Sequence, residues 1–229
     1  MSRVSLFSNE NVAIHSWRLV RVVSVVVLSL AIGMFWAASS IAQNRSGAKV
    51  LKVQGTEFDP QHICDAEATW VRGIGLFAPD DSFASGFLMH KLCATTTNAA
   101  AFGLISGATG QTLIGEALGF DYKNVNGGFL AHCGSGAPRF NVSMSDGSFH
   151  FIGGCANGTK TPETPATGWT RVRFDAQSGS QAFPFVPLNA TIVNISLAYD
   201  EGSDTPGFDC SPEIVLDNIF INGRFVTRQ

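Results

Sequence analysis

The pattern of apolar and polar positions predicts a chain of short β-strands. Its clearest part is a hairpin in which Phe140, Val142 and Met144 alternate with polar residues on the way into a turn. After the turn, Phe149 and Phe151 alternate in the same way. A period of two is typical of strands, and an Asp-Gly pair between two alternating runs is a strong hairpin signal. We therefore expect two antiparallel strands here.

Similar short runs follow one another from residue 49 to the end of the chain, separated by joins rich in Gly, Pro and Asn. The last long run, residues 214–221, is dominated by β-branched and aromatic side chains and ends at Asn222-Gly223. Its centre carries Asp217, a carboxylate that is costly to bury unless a cation or several donors hold it. Roughly nine to eleven strands with turn-rich joins predict an all-β sandwich or barrel.

Residues 1–42 have the pattern of a secretory signal peptide. Arg18 and Arg21 precede an uncharged apolar run that ends in the small residues Ser40-Ile41-Ala42. A positive flank, an apolar core and small residues before the cut are the marks of such a segment. The alternative is an uncleaved membrane anchor, because the run just reaches the length that spans a bilayer.

Cleavage after Ala42 would leave a polar leader, residues 43–48, and a single β-sandwich domain, residues 49–229. In either case we expect this domain to be secreted or otherwise extracytoplasmic, with no membrane contact once the signal peptide is removed. The chain carries a formal net charge of −3 and shows no basic cluster, which argues against nucleic acid as a partner. Its 24 glycines and 18 phenylalanines suit tight turns and an aromatic core.

All five cysteines lie after the predicted signal peptide, where an oxidising compartment favours disulfides. Cys133 and Cys155 flank the open end of the predicted hairpin, so we expect them to pair. Cys64 with Cys93 is the next pairing, which would leave Cys210 unpaired because the count is odd.

Metal ligation and catalysis are weaker alternatives. His62 with Cys64, or His132 with Cys133, could bind a metal, but no second ligand pair follows at zinc-type spacing. The chain lacks a Gly-x-Ser-x-Gly elbow, a His-Glu-x-x-His motif and a phosphate loop. Glycoside cleavage needs two facing acids, and Asp121 with Asp200 or Glu201 could form such a pair. We predict that the protein is not an enzyme.

Three motifs together suggest a family. They are Gly168-Trp169-Thr170-Arg171-Val172-Arg173-Phe174, a strand ending in Tyr199-Asp200-Glu201-Gly202, and Leu216-Asp217-Asn218-Ile219. In this order they resemble secreted jelly-roll domains of the carbohydrate-binding-module type over about residues 115–227. In those domains a late strand often carries a pair of aspartates where this chain has Asp217-Asn218. The resemblance implies a two-sheet antiparallel jelly-roll sandwich, a structural calcium ion, and a ligand bound on a concave face or in end loops.

The calcium ion that the resemblance implies would need six to eight oxygen ligands. Asp217 can supply a carboxylate. Glu57 and Asp59, near the first strand, could supply others if the first and last strands lie together, a placement taken from the resemblance. The alternative is that Asp217 lies on a solvated face or caps a neighbouring loop.

A saccharide site needs aromatic faces for the apolar sides of sugar rings and polar groups for the hydroxyls. Trp169, with Arg171 and Arg173 on the same strand face, is the best candidate platform in the sequence. Tyr122 and His132 could contribute at loop ends. The alternative is that the tryptophan is a core residue with arginine stems packed over it.

Taken together, these features predict a secreted, non-catalytic module that binds a glycan or another extracellular ligand. A structural or adhesive cell-surface protein is the first alternative, and a small glycan-active hydrolase is the second. Sequons for N-glycosylation include Asn141-Val142-Ser143 and Asn194-Ile195-Ser196. They mark modification sites only in a host that glycosylates.

Overall fold

A computed structural model describes six stretches of the chain: residues 49–76, 84–93, 99–123, 133–164, 168–201 and 213–228. Residues 49–229 form one compact unit, distinct from residues 1–48. The predicted signal peptide and polar leader fall outside the described residues, as do His132 and Cys210. In the described stretches, no helix has the length and hydropathy that crossing a membrane requires.

The described residues form strands and no helix. In chain order the strands are β1 (Lys52–Phe58), β2 (Asp65–Val71), β3 (Gly86–Leu92), β4 (Ala100–Ser106), β5 (Leu118–Lys123), β6 (Arg139–Met144), β7 (Phe149–Gly153), β8 (Thr159–Thr164), β9 (Trp169–Phe174), β10 (Ala182–Phe183), β11 (Ile192–Tyr199), β12 (Glu213–Ile221), β13 (Arg224–Phe225) and β14 (Thr227–Arg228). The expected all-β fold is confirmed.

Two sheets contain all of these strands. The first sheet has the order β10-β7-β6-β11-β4-β1-β14, and the second has the order β2-β3-β12-β5-β9-β8, with β13 paired to β12. The strand pairs are antiparallel apart from β1 and β14, which run parallel. The arrangement is a jelly-roll-like β-sandwich, as predicted.

Phenylalanines from both sheets meet between the two layers. Phe140 of the first sheet and Phe120 and Phe174 of the second are fully buried. Their ring centroids lie 5.6 to 6.3 Å apart, the spacing of favourable tilted and edge-on aromatic pairs. The alternating side of the predicted hairpin that contains Phe140 is therefore the side that builds the core.

Both predicted disulfides are present. Cys64 and Cys93 join the start of β2 to the end of β3, with their Cα atoms 4.7 Å apart. Cys133 and Cys155 join the segment before β6 to the segment after β7, with a Cα separation of 5.1 Å. The second bridge ties the open end of the hairpin, as its sequence position predicted.

The hairpin turn is held by Asp146 and Ser148. Oδ1 of Asp146 accepts hydrogen bonds from the Ser148 hydroxyl at 2.5 Å and from the Ser148 backbone N–H at 3.0 Å. Gly147 adopts φ = 84°, a conformation that glycine takes without steric cost. The Asp-Gly signal in the sequence therefore corresponds to a turn that is stabilised by hydrogen bonds to the side chain of Asp146.

Replacing the hydroxyl of this turn should change the titration of Asp146. The two hydrogen bonds from Ser148, the side-chain bond first, hold the pKa of Asp146 below its ordinary value. Because the folded-state pKa is depressed, the resulting stability is present above the ordinary carboxyl pKa and is lost as pH falls through the folded value. We expect Ser148→Ala to raise the Asp146 pKa in an NMR titration of its carboxyl carbon. An unchanged value would show that the hydroxyl does not hold the carboxylate.

Removing the hairpin bridge should destabilise the domain. A bridge between two cysteines that are 22 positions apart in the chain is worth about 3 kcal/mol. We expect the double variant Cys133→Ser, Cys155→Ser to lose about that much free energy of unfolding in urea under non-oxidising conditions. Cys210→Ser is the control, because the other four cysteines pair with one another. An equal loss in the control would mean that Cys210 also forms a stabilising bond.

Candidate functional site

The predicted sugar platform on β9 is not exposed. Trp169 shows only 4% of its surface to solvent, and the Nζ atom of Lys123, its neighbour on β5, lies 5.8 Å from the ring centroid. A stacking platform has to present a ring face to its ligand, which a buried indole cannot do. The prediction that Trp169 presents its ring to a ligand is therefore corrected: the indole is buried on the outer side of the second sheet, next to Lys123.

The two arginines of the predicted platform surround a buried carboxylate. Asp121 of β5 is fully buried, and Nε of Arg171 lies 3.2 Å from its Oδ1. Nη1 of Arg173 lies 3.5 Å from the same oxygen and donates to the carbonyl oxygen of Phe120 at 3.2 Å. Burial lowers the pKa of Arg173, and the negative charge of Asp121 opposes this shift. Both guanidinium groups are thus committed to the protein itself.

A glycine makes room for one of these arginines. A Cβ atom at Gly119 of β5 would lie 2.6 Å from Cδ of Arg173, closer than real contacts allow. The guanidinium of Arg173 also lies 4.8 Å from the ring centroid of Phe220 on β12, a distance typical of cation–π contacts. The absence of a side chain at position 119 is a sequence signal for this packing that alternation alone does not reveal.

The Asp217-Asn218 pair completes the same cluster. Asp217 of β12 lies directly opposite Asp121, and a bulge follows it, with Asn218 at φ = 44°. Nδ2 of Asn218 donates to Oδ2 of Asp121 at 2.7 Å. Oδ2 of Asp217 accepts from the backbone N–H of Leu76 at 2.6 Å. Oδ1 of Asp217 accepts from the backbone N–H of Asn218 at 2.6 Å, so backbone donors contribute to holding this carboxylate in its apolar run.

The three acids predicted to bind calcium do not come together. Asp217 lies in the second sheet and Glu57 lies in β1 of the first. Oδ2 of Asp59 accepts from the backbone N–H of Cys64 at 2.9 Å. Over the stretches that the structure describes, no three or more His, Cys, Asp or Glu side chains form a group that could hold a metal. Calcium binding stays a prediction of the resemblance, without this ligand set.

The remaining predicted residues are Tyr122, His132 and the acids considered for hydrolysis. Tyr122 is partly buried and hydrogen-bonded to the side chain of Thr170; burial raises its pKa, and the hydrogen bond opposes that shift. His132 falls outside the described residues. Asp200 and Glu201, the acids considered with Asp121 for hydrolysis, have partners in another part of the sandwich, described below. The hydrolase hypothesis stays a prediction.

Sequence reasoning missed the outer face of the first sheet. Phe149 and Phe151 of β7 and Phe183 of β10 point away from the core and are 46%, 43% and 46% exposed. The rings of Phe149 and Phe151 pack edge-on with centroids 5.1 Å apart, and Phe183 lies directly opposite Phe151. We call these three side chains the phenylalanine face.

The phenylalanine face continues into a row of residues that crosses six strands. Successive strand partners in this row lie directly opposite one another, so their side chains share one side of the sheet. We call it the cross-strand row; from β10 to β1 it contains Phe183, Phe151, Asn141, Ser196, Leu104 and Gln54. None of these six side chains can ionise.

Two of the sequons form a polar block in the middle of this face. Asn141 of β6 lies opposite Ser196 of β11, and Ser143 of β6 lies opposite Asn194 of β11. Each asparagine therefore faces the serine of the other sequon, and we call these four residues the Asn/Ser array. Phe149 lies opposite Ser143, so aromatic rings border the array directly.

Arg139 borders the face without leaving its charge unpaired. Its guanidinium lies 5.0 Å from the ring centroid of Phe151, and its Nε donates to Oδ1 of Asn141. Nη1 and Nη2 donate to the two carboxylate oxygens of Asp200 at 2.7 and 2.6 Å. Glu201 accepts from the backbone N–H of Ala137 at 3.1 Å. The positive charge of Arg139 is thus neutralised by Asp200 within the protein.

Comparison of the chain with protein-family models, with curated proteins and with solved structures found no match. We therefore infer the function from the geometry of the two outer faces. The face of the second sheet is occupied by an internal ion cluster, and the face of the first sheet offers exposed rings beside neutral polar groups.

Truncating the buried carboxylate should test the ion cluster. Asp121→Ala leaves Arg173, which is 12% exposed, and the more exposed Arg171 without their shared partner. Removing one member of a buried ion pair typically costs about 3 kcal/mol or more. We expect a loss of this size in urea unfolding.

Asp65→Ala serves as the control for this variant. The carboxylate of Asp65 is 75% exposed and lies 3.5 Å from His90, so its removal should cost under about 1 kcal/mol. Equal losses in the two variants would show that the Asp121 cluster does not stabilise the second sheet.

Proposed function

We propose that residues 49–229 form an exported, non-catalytic module that binds an extracellular glycan through the outer face of the first sheet. The observation that supports this most directly is the phenylalanine face lying beside the Asn/Ser array. Rings of this kind can pack against the apolar sides of sugar rings, and amide and hydroxyl groups can pair with sugar hydroxyls. The two chemistries that a saccharide site needs are adjacent on one surface.

The exposure of these rings supports a binding role. Exposure of an aromatic ring to water is unfavourable, yet all three rings lie together on the outside. Contiguous exposed apolar surface on a folded domain often marks a site of interaction. Scattered exposed apolar residues are common and would need no such explanation, but adjacent positions on two paired strands are not scattered.

The disulfides support export. Two bridges within one domain are compatible with an oxidising, extracytoplasmic compartment, where disulfides persist. The signal-peptide pattern of residues 1–42 also favours export to an extracytoplasmic compartment. A module in that compartment meets glycans and other surface polymers rather than cytoplasmic substrates.

A structural or adhesive protein is the second candidate. Arg139 packs over Phe151, and aromatic residues with arginine are the side chains enriched in protein interfaces. Phenylalanine also lacks a polar group with which to pair a sugar hydroxyl. A protein partner on the same face would explain its exposure equally well, so the experiment below has to separate the two.

Removing two rings from the phenylalanine face should weaken glycan binding. We expect Phe151→Ala with Phe183→Ala to lower affinity by about 10-fold or more, since each aromatic contact is worth about 1 kcal/mol beyond its buried area. Affinity electrophoresis of the mature domain in gels containing neutral and anionic polysaccharides measures this. Phe225→Ala is the matched control, because Phe225 is 53% exposed but pairs with β12 in the second sheet.

The outcomes separate the candidates. Retardation by a polysaccharide that the double variant loses and Phe225→Ala keeps would support the glycan module. Retardation that survives in the double variant would place the glycan site elsewhere. Migration unaffected by every polysaccharide, together with self-association or binding to a cell-surface protein that depends on Phe151, would favour the adhesive candidate.

A further inference from the structure

We infer that the ligand is an uncharged glycan chain that lies extended across the strands, along the cross-strand row. This inference rests on the proposed function and adds the class of glycan, its direction on the sheet and the residues that read it. It follows from three features of the outer face of the first sheet: its charges, its register and its unused hydrogen-bonding groups.

The charges of the face favour a neutral ligand. The cross-strand row and the Asn/Ser array contain no ionisable side chain. Arg139, the cation beside the rings, is held by both carboxylate oxygens of Asp200. Lys52 lies on β1, at the far side from the rings, opposite Ser106. A uronate or sulfate placed over the array would lose part of its hydration without gaining a cation, and that is costly.

The register of the strands gives the ligand a direction. The row runs perpendicular to the strands, and neighbouring strands lie about 4.8 Å apart, so six strands span about 24 Å. Its rings lie at the β10 end, while Leu104, which is 52% exposed, offers a second apolar contact on β4. Asn141 and Ser196 lie between these contacts. A single sugar would cover only one part of this row, whereas an extended chain can contact all of it.

The polar groups between the apolar contacts are available. Asn141 uses its Oδ1 to accept from Arg139, and its Nδ2 donor has no protein partner in the described part of the chain. The side chains of Ser196 and Asn194 make no hydrogen bond to the protein over the same stretches. These groups can therefore pair with sugar hydroxyls, which is how polar side chains fix the orientation of a ligand.

The test uses two length series of oligosaccharides with the mature domain. Neutral gluco-, xylo- and manno-oligosaccharides from disaccharide to hexasaccharide form one series, and oligogalacturonides of the same lengths form the other. Calorimetry measures the affinities. The protein comes from a host without N-glycosylation, so that Asn141 and Asn194 are unmodified. We expect one neutral series to bind, with affinity that rises with chain length, and the galacturonides to bind at least 10-fold more weakly.

Variants along the cross-strand row test where the bound oligosaccharide lies. Ser196→Ala and Leu104→Ala should each lower the affinity of the hexasaccharide by roughly 3- to 10-fold, the loss expected for one hydrogen bond or one apolar contact, and change disaccharide affinity little. Phe151→Ala should weaken both lengths. The matched controls are Ser180→Ala in an exposed turn and Leu92→Ala at the end of β3 in the second sheet, and neither should alter binding.

The outcomes distinguish this inference from the function on which it rests. Galacturonides that bind as tightly as neutral chains, in a manner dependent on Phe151, would keep the glycan module and overturn the uncharged ligand. Affinity independent of chain length, or unaffected by Ser196→Ala and Leu104→Ala, would overturn the direction along the row. Failure of every oligosaccharide to bind would overturn the glycan module and this inference together.

Discussion

The second sheet depends on one buried carboxylate. Asp121 has no exposed surface, and an isolated charge in that position would be very costly. Arg171, Arg173 and Asn218 surround it and come from strands on both of its sides. These contacts join β9, β5 and β12 through side chains as well as through backbone hydrogen bonds. The cluster thus stabilises the sheet from its outer side, and its guanidinium groups are engaged by the protein itself.

This constraint divides the two outer faces of the sandwich. Charged groups of the second sheet face one another, and Trp169 is covered beside them. The first sheet places its rings and neutral polar groups outward, and its arginine is neutralised by Asp200 at the border. Both faces share one core, since Phe140, Phe120 and Phe174 meet between the layers. The second sheet is thus stabilised by ion pairs on its outer side, and it shares its core with the first sheet, whose outer side carries the exposed rings.

Local patterns in the sequence predicted the local structure correctly. The hairpin and the Cys133–Cys155 bridge follow from alternation, a turn and two flanking cysteines, all within a short stretch of chain. Alternation also placed Trp169 on the same side as Arg171 and Arg173, but it does not tell what covers that side. The cross-strand row could not be predicted from the sequence for a related reason. It depends on the register between β6, β11 and β4, which are far apart in the chain, and register is set by tertiary packing.

Asn218 shows why the resemblance to jelly-roll domains with an aspartate pair gave the wrong partners for Asp217. A second carboxylate at this position could only accept hydrogen bonds, and it would face Asp121 as a like charge. The amide of Asn218 instead donates to Asp121, and the bulge after Asp217 brings it there. The positive charge beside Asp121 comes from two arginines of β9. An amide at position 218, rather than a carboxylate, thus suits a cluster held by guanidinium groups. Asp217 itself accepts a hydrogen bond from the backbone N–H of Leu76.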